Sequence, residues 1–244
     1  FGREPQHLTA GVIGVGGIGQ VVAQRLSAMH FDVLLNDPPR AAKGELDEHV
    51  ELDQLIEQCD VICVHVPLIT DGETPTQHLL NAQHFERMHD RQLLISAGRG
   101  AALDNQALLE RLRQPNAPQV AVDVWEGEPN ILPELWPLAL VATPHIAGHA
   151  LEGKLRGTQI VARRLADFLG KPFTGPSVRE VAETLHRRPE PLPTLDWALR
   201  AQQVYDVRED ARRMRQALAN RTGTELAAAF DRLRDQYPKR REIH

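Results

Sequence analysis

Three short segments gather side chains suited to proton transfer and anion binding: Ser96-Ala-Gly-Arg99-Gly100, Asp123-Val-Trp-Glu126-Gly-Glu128-Pro129 and Thr143-Pro-His145-Ile-Ala-Gly148-His149. A histidine titrates near neutral pH, so His145 is suited to take a proton in one direction and return it in the other. The guanidinium of Arg99 offers a planar fork that matches a carboxylate or an oxygen on which negative charge develops. The acids between them, Asp123, Glu126 and Glu128, could orient a base or a backbone turn. A lone histidine or arginine at a strand end is usually structural. The combination is what suggests chemistry.

These side chains need a frame. From residue 10 to about 145, continuous apolar runs alternate with amphipathic stretches. Ala10–Val15, Asp32–Asn36, Asp60–Val66, Gln92–Ala97, Gln119–Val124 and Leu138–Thr143 are rich in Val, Ile and Leu. Such runs fit strands buried on both faces. Ile18–Met29, Leu52–Cys59, Ala82–Met88 and Asn105–Arg113 read as helices between them. The alternation predicts an α/β fold, a doubly wound parallel sheet of the Rossmann type. The three chemical segments then fall where strands end, the edge at which such sheets bind ligands. Beyond Pro144 the pattern becomes helical: Ala150–Leu169, then Leu195–Tyr205, Glu209–Ala219 and Glu225–Gln236, with a Pro- and Arg-rich stretch at 186–193. The expected division is a dinucleotide-binding domain over 1–149, a return helix and linker over 150–180, and a smaller, mostly helical α+β unit over 181–244.

The first strand runs into Gly14-Val-Gly16-Gly17-Ile18-Gly19, which opens a helix. In that context the glycines permit a tight turn, close approach of a pyrophosphate and close helix–strand packing, while the helix N-terminus supplies N–H donors. Asp37 ends the second strand 18 residues beyond Gly19. A carboxylate there accepts ribose hydroxyls and repels a 2′-phosphate, which favours NAD over NADP, although Arg40 nearby could hold such a phosphate.

Hydrophobic residues form 42% of the 244-residue chain and charged residues 25%, with a net charge of −5. That balance is ordinary for a globular protein and argues against a nucleic-acid or anionic-membrane partner, both of which call for a basic face. No apolar run reaches the roughly 18 residues a membrane-spanning helix requires. Cys59 and Cys63 are too few and too close for a secreted disulfide framework and fit inert core thiols in a reducing cytoplasm. His145 and His149 stand four apart, as metal ligands on a helix can, but no third ligand is evident and no metal is expected. Trp125 reads as core or pocket wall, and Lys239-Arg-Arg241 as a solvated or interface patch.

The Arg99-Gly pair, the Asp123-Val-Trp-Glu-Gly-Glu-Pro129 run and Thr143-Pro-His145 together resemble the D-isomer-specific 2-hydroxyacid dehydrogenases. The resemblance implies NAD as cofactor, His145 as the base, Glu128 on its other ring nitrogen, and Arg99 on the carboxylate and 2-oxygen of the substrate. It also places Asp123, Val66, Ala97, Gly98 and Gly148 at the nicotinamide end of the cofactor; capping a turn is the lesser alternative for Asp123. Asn36-Asp-Pro-Pro-Arg40, Asp71-Gly-Glu, Leu151-Glu-Gly-Lys and Tyr237-Pro-Lys-Arg-Arg-Glu242 narrow the resemblance to members that act, as homodimers, on a phosphorylated 2-hydroxy acid. There His149 would touch the substrate in place of the usual Tyr. Ser96 stands where an Asn is common, and Val66 where a Thr is. The family's N-terminal substrate lobe and the end of its dimerisation domain have no counterpart in this sequence, so the chain reads as part of a longer protein that binds NAD alone but turns over poorly. Another D-2-hydroxyacid dehydrogenase, of phosphoglycerate or hydroxypyruvate type, and a non-catalytic NAD sensor are the alternatives.

Overall fold

The computed structural model describes residues 5–185, 202 and 204–242. Six strands, β1 (Thr9–Ile13), β2 (Asp32–Asn36), β3 (Val61–Val64), β4 (Leu93–Ser96), β5 (Gln119–Val122) and β6 (Val141–Ala142), form one sheet in the order β2-β1-β3-β4-β5-β6. Every pairing is parallel. The expected doubly wound sheet is present. Its strand order reverses between β1 and β3, and at that point the loops leaving the two strands diverge to opposite sides and open a crevice. The strands are continuously apolar because both faces are covered: all four residues of β3 are buried, and so are Ala10, Val12 and Ile13 of β1.

Helices α1 (Gly17–Ala28), α2 (Pro38–Ala41), α3 (Leu52–Gln58), α4 (Ala82–Arg87) and α5 (Asn105–Leu112) join the strands. The one-turn helix α2 was not anticipated, although its signal is visible: Asp37 caps it through the Arg40 N–H, and Pro38 follows at the first helical position. The last strand is shorter than the apolar run suggests. Residues Trp136–Leu138 form a 3-10 turn, and Pro137 within it has no N–H to give a sheet ladder.

Helix α6 (Leu151–Phe168) follows the sheet, and α7 (Val178–Leu185) packs on it. No helix was expected in the stretch that holds α7. Its start carries a reciprocal cap, Glu180 N–H to Ser177 Oγ and Ser177 N–H to Glu180 Oε2, the Ser-x-x-Glu pattern that sequence alone could have revealed. Ile160, Val161, Leu165, Phe168 and Leu169 leave α6 with a bare apolar face, Phe168 being 86% exposed.

Helices α8 (Val207–Leu218) and α9 (Gly223–Asp235) match the last two expected helices within about two residues, as boundaries do. The helix expected over 195–205 and the Pro-rich stretch at 186–193 lie largely or wholly outside the described residues. Met214, Leu218, Leu226, Ala229 and Phe230 of α8 and α9 share one core cluster with Val122, Trp125 and Ala142 of the sheet domain. Beyond α9 the tail returns to α6. The Leu151 N–H donates to Arg240 O, and the Glu242 N–H to Glu152 Oε2. Arg241 is therefore no solvated patch: it is buried and paired with Glu152 at 2.6 Å and Glu183 at 2.9 Å. Removing one partner of a buried pair strands the other charge, so Glu152→Ala is expected to lower stability by about 3–5 kcal/mol in urea unfolding followed by circular dichroism.

Candidate active site

The crevice at the sheet's switch point is built by the glycine loop. Gly14 has φ +85°, and a Cβ on it would stand 2.9 Å from the Val66 nitrogen. A Cβ on Gly19 would strike the Gly14 carbonyl at 1.9 Å, so α1 packs this close only because that position is bare. Gly16 and Gly17, by contrast, face open space, with nothing within 4 Å of a Cβ built on either. Gly16 caps α1 without any side-chain bond, which leaves the first helical N–H groups free toward that space. Ile18 beside them is 66% exposed.

A cleft of about 420 Å³ continues from Gly14 and Gly16 past Asp37, Pro38, Leu52, His65 and Val66. Asp37 already holds the Val15 N–H at 2.9 Å and the Arg40 N–H at 3.2 Å, which fixes its carboxylate at the rim of the cleft. Arg40 is engaged too, donating to the Val15 carbonyl and to Glu45. His65 was not singled out from sequence; it lines the cleft with a buried, unpartnered Nδ1, and burial lowers its pKa. The open glycine cradle, the free helix N-terminus and a largely apolar cleft ending at a carboxylate fit a dinucleotide.

The three chemical segments converge at the same edge. Asp123, at the end of β5, is buried, and its carboxylate accepts from Thr143 Oγ1 at 2.6 Å, the Ile146 N–H at 2.8 Å and the Ala147 N–H at 2.9 Å. Its carbonyl takes the His145 N–H. These bonds bend the chain so that His145 sits at φ +56°, a conformation that L side chains resist. In return the ring is aimed. His145 Nδ1 meets Glu128 Oε2 at 2.7 Å, and Glu128 Oε1 takes the Trp125 N–H at the same distance. The hydrogen bond to Glu128 raises the pKa of His145 against the opposing effect of burial. Nε2 is then the ring nitrogen left for a reacting group.

Arg99 leaves the end of β4 exposed, with a single bond to the Gly98 carbonyl and no ion pair among the described residues. Gly100 brings that turn against the Trp125–Glu126 peptide: a Cβ there would lie 2.0 Å from the Trp125 carbonyl atoms. Trp125 itself is buried, with its Nε1 bonded to Thr143 O, and forms the wall behind the histidine turn. Val66 and Ala97 occupy the neighbouring ends of β3 and β4, and Gly148 stands exposed on the His145 turn. Cys59 and Cys63 are buried core thiols, each with its pKa raised to about 12 by burial.

Sequence reading missed two further groups. His78, at φ +50°, reaches Glu126 at 2.6 Å and Asp104 at 3.8 Å, and so ties the loop over the cofactor cleft to the segment carrying Glu128. Arg234 of α9 comes within 4.0 Å of Glu128. Both lie far along the chain from the residues they serve, and only the packing brings them in. His145 and His149 join no metal-sized cluster among the described residues.

Comparison with known proteins agrees with this geometry. Residues 1–147 match the family described as D-isomer specific 2-hydroxyacid dehydrogenase, NAD binding domain. The chain belongs to that family, and its cofactor is NAD. Residues 192–244 match a domain of unknown function, DUF3410. The erythronate-4-phosphate dehydrogenase of Chromohalobacter salexigens is 41% identical over 243 residues, covering 96% of this chain and 62% of its own length. That of Pseudomonas aeruginosa strain PAO1 is 41% identical over 246 residues, covering 99% and 64%. The chain thus spans less than two thirds of these relatives. Among solved structures, the NAD-bound D-isomer specific 2-hydroxyacid dehydrogenase of Lactobacillus delbrueckii ssp. bulgaricus aligns with a TM-score of 0.59 at 25% identity, covering 71% of this chain and 56% of that one. The D-lactate dehydrogenase of Aquifex aeolicus, complexed with NAD and lactic acid, aligns at 0.57 and 28% identity, covering 72% and 60%.

The Glu128–His145 bond gives a measurable expectation. Glu128→Gln removes the ionised partner, so the His145 ring, followed by NMR on this chain, should titrate at lower pH than in the parent. A folded-state pKa above the unfolded value means that the bond's contribution to stability is complete below about pH 6.5 and fades as pH rises through the folded value. An unchanged midpoint in Glu128→Gln would contradict that account.

Proposed function

We propose that this chain is the cofactor-binding and catalytic part of an NAD-dependent dehydrogenase that oxidises 4-phospho-D-erythronate to 2-oxo-3-hydroxy-4-phosphobutanoate. The reaction would belong to formation of pyridoxal 5′-phosphate, vitamin B6, and the working protein would be a homodimer. The observation that carries the reading is the Glu128–His145 pair at 2.7 Å, with an exposed arginine at another strand end, Arg99, that has no ion-pair partner among the described residues. The names of the 41%-identical relatives support the choice of substrate.

Bound NAD+ supplies a hydride acceptor at the carbon bearing the hydroxyl. His145 Nε2 removes the hydroxyl proton, and the resulting imidazolium is stabilised by ionised Glu128. Arg99 binds the substrate carboxylate and the oxygen that becomes the 2-oxo group, holding charge where it develops. The N–H groups at the start of α1 would receive the pyrophosphate, and Asp37 would receive the adenine-side ribose hydroxyls; a 2′-phosphate would meet that carboxylate, and Arg40 nearby is already engaged. The apolar face of α6 is where a substrate lobe would pack and close the cleft against water.

His145 must be neutral to accept the proton, so the oxidation rate should climb as pH rises through its raised pKa. The deciding assay joins this chain to the substrate lobe of the Chromohalobacter relative and follows NADH absorbance with 4-phosphoerythronate and 3-phosphoglycerate. Preference for 4-phosphoerythronate is expected, with a loss of about 10²–10⁴-fold in kcat for His145→Ala. Preference for 3-phosphoglycerate would replace the substrate. Turnover of neither, with tight NADH binding, would leave a sensor. The chain alone is expected to bind NADH in a fluorescence titration and to turn over slowly or not at all.

A further inference from the structure

One wall of the dinucleotide cleft is the chain between β3 and Leu80. Ile69, Thr74, Pro75 and Thr76 of that stretch line the cleft together with Gly14 and Asp37. It forms neither helix nor strand, and every residue from Pro67 to Pro75 is exposed. Packing therefore does not hold this wall; hydrogen bonds do. Thr76 closes the neck of the loop, its hydroxyl taking the Ile69 N–H at 2.8 Å and donating to the Pro67 carbonyl at 2.5 Å. At the far end the His78 N–H donates to Ala101 O at 2.7 Å, and the Leu80 N–H to Ala102 O at 3.1 Å. His78 stands at φ +50°, a backbone conformation that glycine or asparagine adopts more readily. What a histidine adds at such a position is its ring.

That ring lies between two carboxylates. Nε2 meets Glu126 Oε1 at 2.6 Å, while Nδ1 stands 3.8 Å from Asp104 Oδ2, beyond hydrogen-bond reach. A carboxylate only accepts, so Nε2 carries the proton shared with Glu126. No lysine or arginine among the described residues pairs with either acid. The second oxygen of Glu126 takes the Asn105 N–H at 3.3 Å, and the Glu126 N–H donates to Asn105 Oδ1 at 3.1 Å. Asn105 Nδ2 in turn donates to Leu103 O at 2.9 Å and to Gly100 O at 3.4 Å, which fixes the turn that follows Arg99. Glu126 itself lies two residues before Glu128. One carboxylate thus joins three segments: the cofactor wall, the Arg99 turn and the segment that holds the His145 ring.

We propose that His78 is a positioning residue for the dehydrogenase. Through Glu126 it clamps the wall of the NAD cleft to the Arg99 turn and the Glu128 segment, so that the cofactor and the reacting groups are held in one register. His78 is not among the residues lining the cleft, so it acts through the wall and not by contact with NAD. Its effect on NADH binding rests on the family's cofactor alone; its effect on turnover rests on the functional reading above.

NADH titrated into this chain by fluorescence, well below the melting temperature of each variant, reads the clamp directly. His78→Ala is expected to raise the dissociation constant about tenfold, the scale of one hydrogen bond to a charged group. Where His78→Ala does not fold, His78→Asn takes its place, since asparagine suits the positive φ but is too short to reach Glu126. His78→Gln keeps an N–H for Glu126 and should recover most of the loss. Glu126→Ala should weaken NADH binding comparably, and adding His78→Ala to it should cost little more, because both remove one contact. A lowered melting temperature with unchanged NADH affinity in His78→Ala would show a merely structural role and overturn the proposal. So would losses that add in the double variant, or no recovery in His78→Gln. In the lobe-joined enzyme, His78→Ala should raise KM for NAD and lower kcat; both unchanged would overturn the proposal as well. A parent enzyme that turns over neither acid would end the functional reading and leave the NADH titrations to decide the clamp.

Discussion

The carboxylate of Asp123 is the constraint on which the site depends. It is buried at the end of β5, and its charge is balanced by three donors: the Thr143 hydroxyl and the N–H groups of Ile146 and Ala147. A buried carboxylate so satisfied holds its loop more firmly than neutral bonds would, because each bond is charge-assisted. That hold keeps His145 at a positive φ that would otherwise relax, and the positive φ points the ring at Glu128. Glu128 is itself steadied by the Trp125 N–H, and Trp125 by Thr143. The ring of bonds closes on itself, and His145, Glu128 and the wall behind them are one unit.

The second constraint is steric. The turn that carries Arg99 and the segment that carries Glu128 come from different strand ends, and they pack this closely only because Gly100 has no side chain to collide with the Trp125 carbonyl. A bare Gly19 likewise lets α1 sit against the Gly14 turn and β1, and a bare Gly14 lets that turn sit against the chain at His65–Val66, with the α1 N-terminus turned to the crevice. Close approach is required for two reasons: packing in the first turn and access for a ligand's backbone contacts in the open cradle.

The C-terminal helices are more than an appendage. Met214, Leu218 and Phe230 complete the core beneath β5 and β6, and the tail straps the His145 turn from outside. Arg240 donates to the carbonyls of Ile146 and Ala147, the two residues whose N–H groups Asp123 holds, and its guanidinium lies 4.1 Å from the centroid of the Tyr205 ring. The turn is thus gripped on both sides, by an anion at its amides and by a cation at its carbonyls. Electrostatics of that kind orient the His145 ring without engaging its Nε2.

The amino-acid sequence by itself determined the alternating pattern, the parallel sheet and the glycine loop, because continuous apolar runs and a strand–glycine–helix junction are local signals. It also singled out Arg99, Glu128 and His145, whose residue types and strand-end positions carry their chemistry. The cap at Ser177–Glu180 and the Asp37-Pro38 start were equally local and were passed over in favour of longer-range pattern. Other features had no local signal. That the Asp123 carboxylate holds the His145 turn, that Arg241 is buried against Glu152, and that His78 and Arg234 reach Glu126 and Glu128 depend on residues from 20 to more than 100 positions apart. Charge and periodicity describe a residue's own neighbourhood. Which carboxylate meets which cation is decided only when helices and strands pack, because that choice depends on distances the chain does not have until it is folded.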